Sequence, residues 1–371
     1  MKNIAFFNSL KFWGGGEKLH LENAIKFEKI NYNVYLMCYL NSPLWKKAKD
    51  VRIKTFSISV GNLSFLNPVK VIRLIWFYRS MDIDTVVFSA SQDLKLGSIA
   101  AYLAGVKRIV YLRGLATPVK NKLLNRIIFK HFLTHIIPST NATKKSMLQF
   151  IGVHVKEDKI RTIYHGININ KISSNNPTLK LKVIEEKGRG VILGNAGRLD
   201  KQKGQEDLIK LAHILHQQKI EFTLFIAGTG ELRTELELLI EKYKLEDRVI
   251  LLGFVEDMDK FMDSIDIFLL SSIREGFGFV LVEAMAKSKP IVCYDITSPG
   301  IVENNKSGFL VPYQDIELFA EKTAQLIGDD TLRKAMGQKG LERVEDVFVL
   351  EDKIREIELF LQTDPIKNKT I

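Results

Sequence analysis

Short apolar runs alternate with amphipathic segments of helical length from one end of this sequence to the other, and few folds accept that alternation. It is the pattern of βαβ units, in which parallel strands are joined by helices that cover the sheet faces. In the first half, strands are predicted at residues 4–7, 34–38, 53–57, 85–88, 108–112, 136–138 and 160–163. In the second half they are predicted at 191–196, 223–227, 249–252, 267–270, 291–293 and 309–311. With 371 residues the chain is too long for one ordinary core and suits two. The expectation is an α/β protein of two Rossmann-like domains, at 1–168 and 169–349. A final helix at about 350–371 is expected to pack back on the first domain. Residues 168–178, rich in Asn, Ser and Lys, are the expected hinge, followed by a helical stretch at 179–187.

Composition narrows the setting. No apolar run reaches bilayer-spanning length, and Met1 to Phe7 reads as a first strand rather than a signal peptide, so a cytoplasmic protein is expected. Cys38 and Cys293, isolated in strand-like runs, are expected to be buried reduced thiols. The net charge of +11 is unevenly divided. Residues 1–170 hold 26 Lys and Arg against 9 Asp and Glu, a net +17, which leaves −6 for the rest. Such polarity suits an anionic membrane surface or an acidic glycolipid bound by the first half. Nucleic acid is not expected as a partner, because no recognisable DNA- or RNA-binding module is present.

Three strand-to-helix turns in the second half carry the chemistry. Ser271-Ser272-Ile273-Arg274-Glu275-Gly276-Phe277-Gly278-Phe279 leads into a helix that holds Glu283. A helix N-terminus offers unpaired N–H groups and a positive dipole end to a phosphate, glycines let backbone approach it, and carboxylates accept from sugar hydroxyls. Gly197-Arg198-Leu199-Asp200-Lys201-Gln202-Lys203-Gly204 places two cations five residues apart before a helix at 205–216, suited to a diphosphate without a metal. Gly228-Thr229-Gly230 follows the next strand, at the carboxyl edge where open α/β sheets bind ligands. In the first half, Trp13-Gly14-Gly15-Gly16-Glu17-Lys18 links the first strand to the first helix.

Together these elements resemble retaining glycosyltransferase family 4, of GT-B architecture, over nearly the whole chain. The resemblance implies two Rossmann-like domains with parallel sheets facing across a cleft. It implies that Arg198 and Lys203 bind the donor diphosphate, that Glu283 binds the ribose and that Glu275 holds hydroxyls of the transferred sugar. Gly276, Phe277, Gly278 and Phe279 then supply backbone contacts, with Gly197, Gly228 and Gly230 beside them and Gly15 and Gly16 of the N-terminal glycine loop across the cleft. Three departures stand out. Arg113 occupies the strand end where many members have His, and there it stabilises phosphate charge, holds an acidic acceptor or makes a plain salt bridge. Gly300 stands where the family often has Glu, and Tyr164-His165-Gly166-Ile167-Asn168 resembles the family's Asn-Gly-Ile-Asp segment with His and Asn in place of its Asn and Asp.

The activity so implied is transfer of a sugar from a nucleotide diphosphate sugar, UDP-linked rather than GDP-linked. The acceptor implied is a glycan or lipid-linked glycan of cell-envelope polysaccharide or lipopolysaccharide synthesis. The resemblance suggests front-face attack, with the donor phosphate taking the acceptor's proton, and no cofactor or metal. His131 and His135 lie four apart in a predicted helix without a third ligand and read as core or surface residues. Another GT-B enzyme, an epimerase or phosphorylase, and a non-catalytic sugar-nucleotide binding module are the alternatives. A dehydrogenase is disfavoured, since no G-x-G-x-x-G follows the first strand. Peripheral membrane attachment is expected through residues 119–130, where Leu123, Ile127 and Ile128 share one predicted face and Lys122, Arg126 and Lys130 another. Phe65, Leu66, Trp76, Phe77 and Tyr78 add aromatic and apolar groups.

Overall fold

The computed structural model describes residues 2–169, 181–296 and 300–363. The polypeptide divides into two compact units, Met1–His165 with Glu351–Ile371, and Gly166–Leu350. The expected hinge falls largely outside the described residues.

In the first unit the strands are β1 (Asn3–Asn8), β2 (Asn33–Cys38), β3 (Lys54–Ser57), β4 (Thr85–Phe88), β5 (Arg108–Arg113) and β6 (His135–Pro138). They form one sheet in the order β3-β2-β1-β4-β5-β6, with every pairing parallel. Ile4, Ala5, Phe6 and Phe7 of β1 are almost wholly buried. An unbroken apolar run of this kind is what a strand covered on both faces by crossover helices requires. The second unit repeats the plan with β7 (Val191–Ala196), β8 (Phe222–Ala227), β9 (Val249–Gly253), β10 (Ile267–Leu270), β11 (Ile291–Tyr294) and β12 (Gly308–Val311). Their order is β12-β11-β10-β7-β8-β9, again with every pairing parallel. In each sheet the chain starts in the middle and winds outward both ways, so a topological switch point lies between β1 and β4 and another between β7 and β10. Both cysteines are buried, and burial pushes the Cys38 thiol up to about 12.

Three sequence expectations need correction. Residues 160–163 do not form a seventh strand. Arg161 and Ile163 donate to the carbonyls of Ile136 and Pro138, but only an isolated bridge, Ile136 to Ile160, joins the segment to β6. Residues 119–130 are not one amphipathic helix. An α-turn at Leu123–Ile127 passes into a π-turn at Ile128–Phe132, Leu123 is exposed, and Ile128 is fully buried in the core. His131 and His135 do not share a helical face: the first lies exposed on the π-turn and the second is buried in β6. The helical stretch expected at 179–187 is observed as Lys182–Lys187, with residues 179 and 180 outside the described residues.

The helix Leu350–Gln362 continues into the first unit. There the Tyr32 hydroxyl donates to Glu358 at 3.1 Å, and the Phe360 ring meets His135 edge-on at 4.8 Å. The expected extension of this helix to 371 lies outside the described residues past Thr363.

Candidate functional site

The carboxyl ends of β7 and β10 bring the second-half motifs together. Asn195, buried near the end of β7, donates from Nδ2 to the Leu269 carbonyl of β10 at 2.8 Å and ties the two strands at the switch point. From there one loop runs from Gly197 to Gly204 into the helix Gln205–Gln217, and the other runs from Ser271 into the helix Phe279–Ala286. Ile273 N–H donates to the Gln202 carbonyl at 2.8 Å, and the Ser271 hydroxyl to the Lys203 carbonyl at 3.1 Å, so each loop holds the other.

Within this frame Lys203 Nζ lies 2.5 Å from Glu275 Oε1, both side chains being more than four-fifths buried. The same Glu275 oxygen accepts from the Ser272 hydroxyl at 2.7 Å. The Lys203 stem passes over Gly197, where an added Cβ would come within 3.4 Å of it. Arg198 is not drawn into this cluster. Its side chain is 72% exposed and pairs with Asp200 at 2.9 Å.

Gly228 leaves β8 with φ of 142°, and a Cβ there would sit 1.8 Å from the Gly197 carbonyl. Only glycine permits that approach, which lets Gly197 N–H donate to Ala227 and Leu199 N–H to Thr229. Gly230 is equally tight against the Leu199 carbonyl. Gly278, at φ 79°, is the N-cap of the helix Phe279–Ala286 and, as a glycine, brings no side-chain acceptor to it. Gly276 and Phe277 precede this cap. Phe277 is buried with its ring 5.0 Å from Phe279, and Glu283 sits half-buried in the helix. Residues 297–299 of the segment that contains Gly300 lie outside the described residues. Gly300 itself has φ of 83°, and its carbonyl accepts from Arg343 at 2.6 Å.

In the first unit, Gly15 and Gly16 open the helix Gly15–Lys29 behind an N-cap, Gly14, that supplies no side-chain acceptor. Arg113 ends β5 and is only 4% exposed. Its guanidinium donates to the Tyr111 hydroxyl at 2.7 Å, the Thr117 hydroxyl at 2.5 Å and the Thr117 carbonyl at 3.0 Å, with Ser91 at 3.4 Å. Among the described residues no carboxylate pairs with it. The plain ion pair that a strand-end arginine ordinarily makes is therefore absent there.

Sequence reasoning missed a second buried group at the β1/β4 switch point. Asp93, fully buried in the first turn of the helix Ser91–Ala104, accepts from Ser9 N–H at 2.9 Å and from the Ser9 hydroxyl. Glu17 accepts from Asn8 Nδ2 at 2.9 Å. Burial raises Asp93 to about 7 against these hydrogen bonds, and the Glu17 charge adds to the rise. Burial likewise lowers His20 to about 4 and His165 to about 3. The one local signal was an acidic residue just after a strand end, which also describes an ordinary helix start.

Comparison with known proteins bears on the fold and on the class of activity. Residues 178–343 match the family described as Glycosyl transferases group 1. A UDP-Gal:alpha-D-GlcNAc-diphosphoundecaprenol alpha-1,3-galactosyltransferase of Escherichia coli is 24% identical over 383 residues, covering 99% of this chain and 98% of that protein. The capsular polysaccharide biosynthesis glycosyltransferase CapM of Staphylococcus aureus is 28% identical over 224 residues, 60% of this chain and 57% of that protein. Among solved structures, Anabaena Alr3699/HepE in complex with UDP superposes with a TM-score of 0.84 at 21% identity, covering 98% of this chain and 100% of that one. With residues 178–343 matching the group 1 family, a galactosyltransferase relative aligned over nearly the whole chain and two Rossmann-like units, the chain is a glycosyltransferase of GT-B architecture.

Proposed function

We propose that the enzyme is a retaining, metal-independent glycosyltransferase of family 4 that transfers a sugar from a UDP-sugar to a lipid-linked glycan in cell-envelope polysaccharide or lipopolysaccharide synthesis. The observation that carries this reading is the Lys203–Glu275 pair at the β7/β10 switch point, beside the glycine-led start of the helix Phe279–Ala286. A cation and a helix dipole there suit a departing diphosphate, and a carboxylate beside them suits sugar hydroxyls.

Lys203 and Arg198 are assigned the diphosphate, Glu283 the ribose and Glu275 the sugar hydroxyls. The backbone of residues 276–279, with Gly197, Gly228 and Gly230, lets the donor approach closely. In the transfer the acceptor oxygen bonds to the anomeric carbon as the bond from that carbon to the diphosphate oxygen breaks. The hydroxyl proton passes to the diphosphate, which leaves as UDP, and the new bond forms on the face the diphosphate vacates. Gly15 and Gly16, at a helix start whose N-cap brings no side-chain acceptor, are assigned to charge on the phosphates, and Arg113, buried without an acidic partner, to the acceptor.

UDP and a lipid-linked acceptor are supported by the E. coli relative, which uses UDP-Gal and a diphosphoundecaprenol-linked GlcNAc, and by the UDP held in the Anabaena structure. The +17 charge of residues 1–170 supports work at an anionic membrane surface on the cytoplasmic side. No helix of the described residues is long and apolar enough to cross a membrane.

The test is thermal stabilisation by UDP-, GDP- and CMP-sugars with and without a metal chelator, followed by NMR of the product anomer. A rise in melting temperature with a UDP-sugar that survives chelation, and a product with the donor's anomeric configuration, are expected. Loss of all stabilisation in chelator overturns metal independence, and an inverted product overturns retention.

A further inference from the structure

The helix Pro68–Ser80 turns an apolar face to solvent. Val69, Ile72 and Trp76 are 72%, 64% and 64% exposed, and their spacing of three and four residues sets them on one side of the helix. The other side holds Leu74, Phe77 and Tyr78, all buried in the core. The 3₁₀ turn just before it adds Leu63 and Leu66, 70% and 67% exposed. Single exposed apolar residues are ordinary. Five on one helix and its lead-in are a patch of the kind that soluble surfaces avoid unless something covers it.

Charge decides what covers it. Residues 51–81 contain Arg52, Lys54, Lys70, Arg73 and Arg79, and no Asp or Glu. Lys70 Nζ donates to the Ser59 carbonyl at 2.6 Å. Arg73 donates to the Ser57 carbonyl at 3.1 Å, its guanidinium 5.0 Å over the Phe56 ring. Cations thus flank the apolar face, Arg73 lying exposed beside Val69, Ile72 and Trp76, and both Lys70 and Arg73 are held by neutral carbonyls that leave their charge uncompensated. Apolar side chains flanked by long basic ones match acyl chains and the anionic headgroups that the basic ends can reach, and an interfacial Trp is typical of that boundary. A second copy meeting this face symmetrically would press unopposed positive charge against itself. Residues 119–130 do not compete, because Ile128 is committed to the core.

We propose that this helix and its lead-in turn are a membrane-insertion surface, which seats the first unit on an anionic bilayer by burying Leu63, Leu66, Val69, Ile72 and Trp76 among the acyl chains. The inference rests on the lipid-linked acceptor reading and adds which face meets the lipid and that attachment is partly apolar.

The experiment is sedimentation of the whole protein with vesicles of phosphatidylglycerol mixed with phosphatidylcholine, from low to high salt. It compares the wild type with Ile72→Asp/Trp76→Asp. Wild type should bind and keep a bound fraction at high salt, since screening weakens the charge attraction but not the burial of apolar groups. The double variant should partition about 100-fold more weakly. In Trp13→Phe/Trp45→Phe protein, brominated acyl chains should quench the remaining Trp76. Equal binding of variant and wild type, or unquenched Trp76 in bound protein, overturns the insertion surface and leaves the membrane reading standing. Failure of the wild type to bind at low salt removes both. A wild-type dimer that the double variant splits assigns the face to a second copy and also overturns the proposal. UDP-sugar stabilisation reports separately on the donor reading, because the donor site is assigned to the other unit.

Discussion

Lys203 and Glu275 are separated by 72 residues, yet their charged ends meet at 2.5 Å where the loops after β7 and β10 cross. The pair sets the position of the cation assigned to the diphosphate by means of the carboxylate assigned to the sugar, so neither side chain is free to wander. Lys203→Ala should lower turnover by about two to three orders of magnitude, the usual cost of one preorganised charge-stabilising donor. It should also cost about 2 kcal/mol of stability by leaving Glu275 buried with only Ser272 beside it. Urea melts of both single variants and the double variant check this, and the double variant should recover part of the loss.

Arg113 and the donor site lie in different units. Arg113→Ala should therefore leave UDP-sugar stabilisation near that of wild type while turnover falls at least about tenfold. Arg113→Lys should not restore it, because an ammonium cannot replace the planar fork that reaches Tyr111 and Thr117 together. Parallel thermal shift and initial-rate measurements decide. Equal loss in both would place Arg113 in donor binding.

The glycines divide into two kinds. At Gly228 a Cβ would collide with the Gly197 carbonyl, so Gly228→Ala should destabilise by about 3 kcal/mol or more and disturb the donor loops. At Gly16 a Cβ would meet nothing within 4 Å. Gly16→Ala should be neutral or up to about 1 kcal/mol stabilising as a helix substitution. A loss of turnover in that stable variant would assign Gly16 to ligand approach. Denaturation curves paired with rates make the comparison.

Buried histidines predict acid sensitivity. Burial lowers His20 and His135 to about 4 and His165 to about 3, all below the unfolded value of 6.5. The native state thus binds fewer protons, and the stability present above pH 6.5 is lost as pH falls towards 4. Asp93 has the opposite sign. Its folded value of about 7 exceeds 3.8, so its contribution is full below pH 3.8 and lost as pH rises through 7. Three groups against one give a net fall in melting temperature between pH 6.5 and 4.5. His135→Gln should make that fall shallower, and a melting temperature flat across the range in wild type would contradict the assignment.

Sequence alone determined the βαβ alternation, twelve of the strands and the three glycine turns of the second half, because each is written in contiguous residues through hydrophobic period and turn chemistry. Tertiary structure decided what those elements bring together. Ser9 meets Asp93 across 84 residues and Lys203 meets Glu275 across 72, and no local period encodes either meeting. They arise because each sheet winds outward from its centre, which places strands distant in sequence side by side at the switch point. The same distinction explains the errors. Residues 160–163 have the composition of a strand, but beyond a single bridge they contact β6 only through scattered hydrogen bonds. Residues 119–130 have the period of a surface helix, but Ile128 is drawn into the core as the chain turns into β6. The exposed face of the helix Pro68–Ser80 with its lead-in turn was legible only in part, since the sequence singles out Leu66 and Trp76 together with Phe77 and Tyr78, which are buried. Its apolar residues lie on both sides of the helix, and only the packing of Leu74, Phe77 and Tyr78 inward leaves Val69, Ile72 and Trp76 outside.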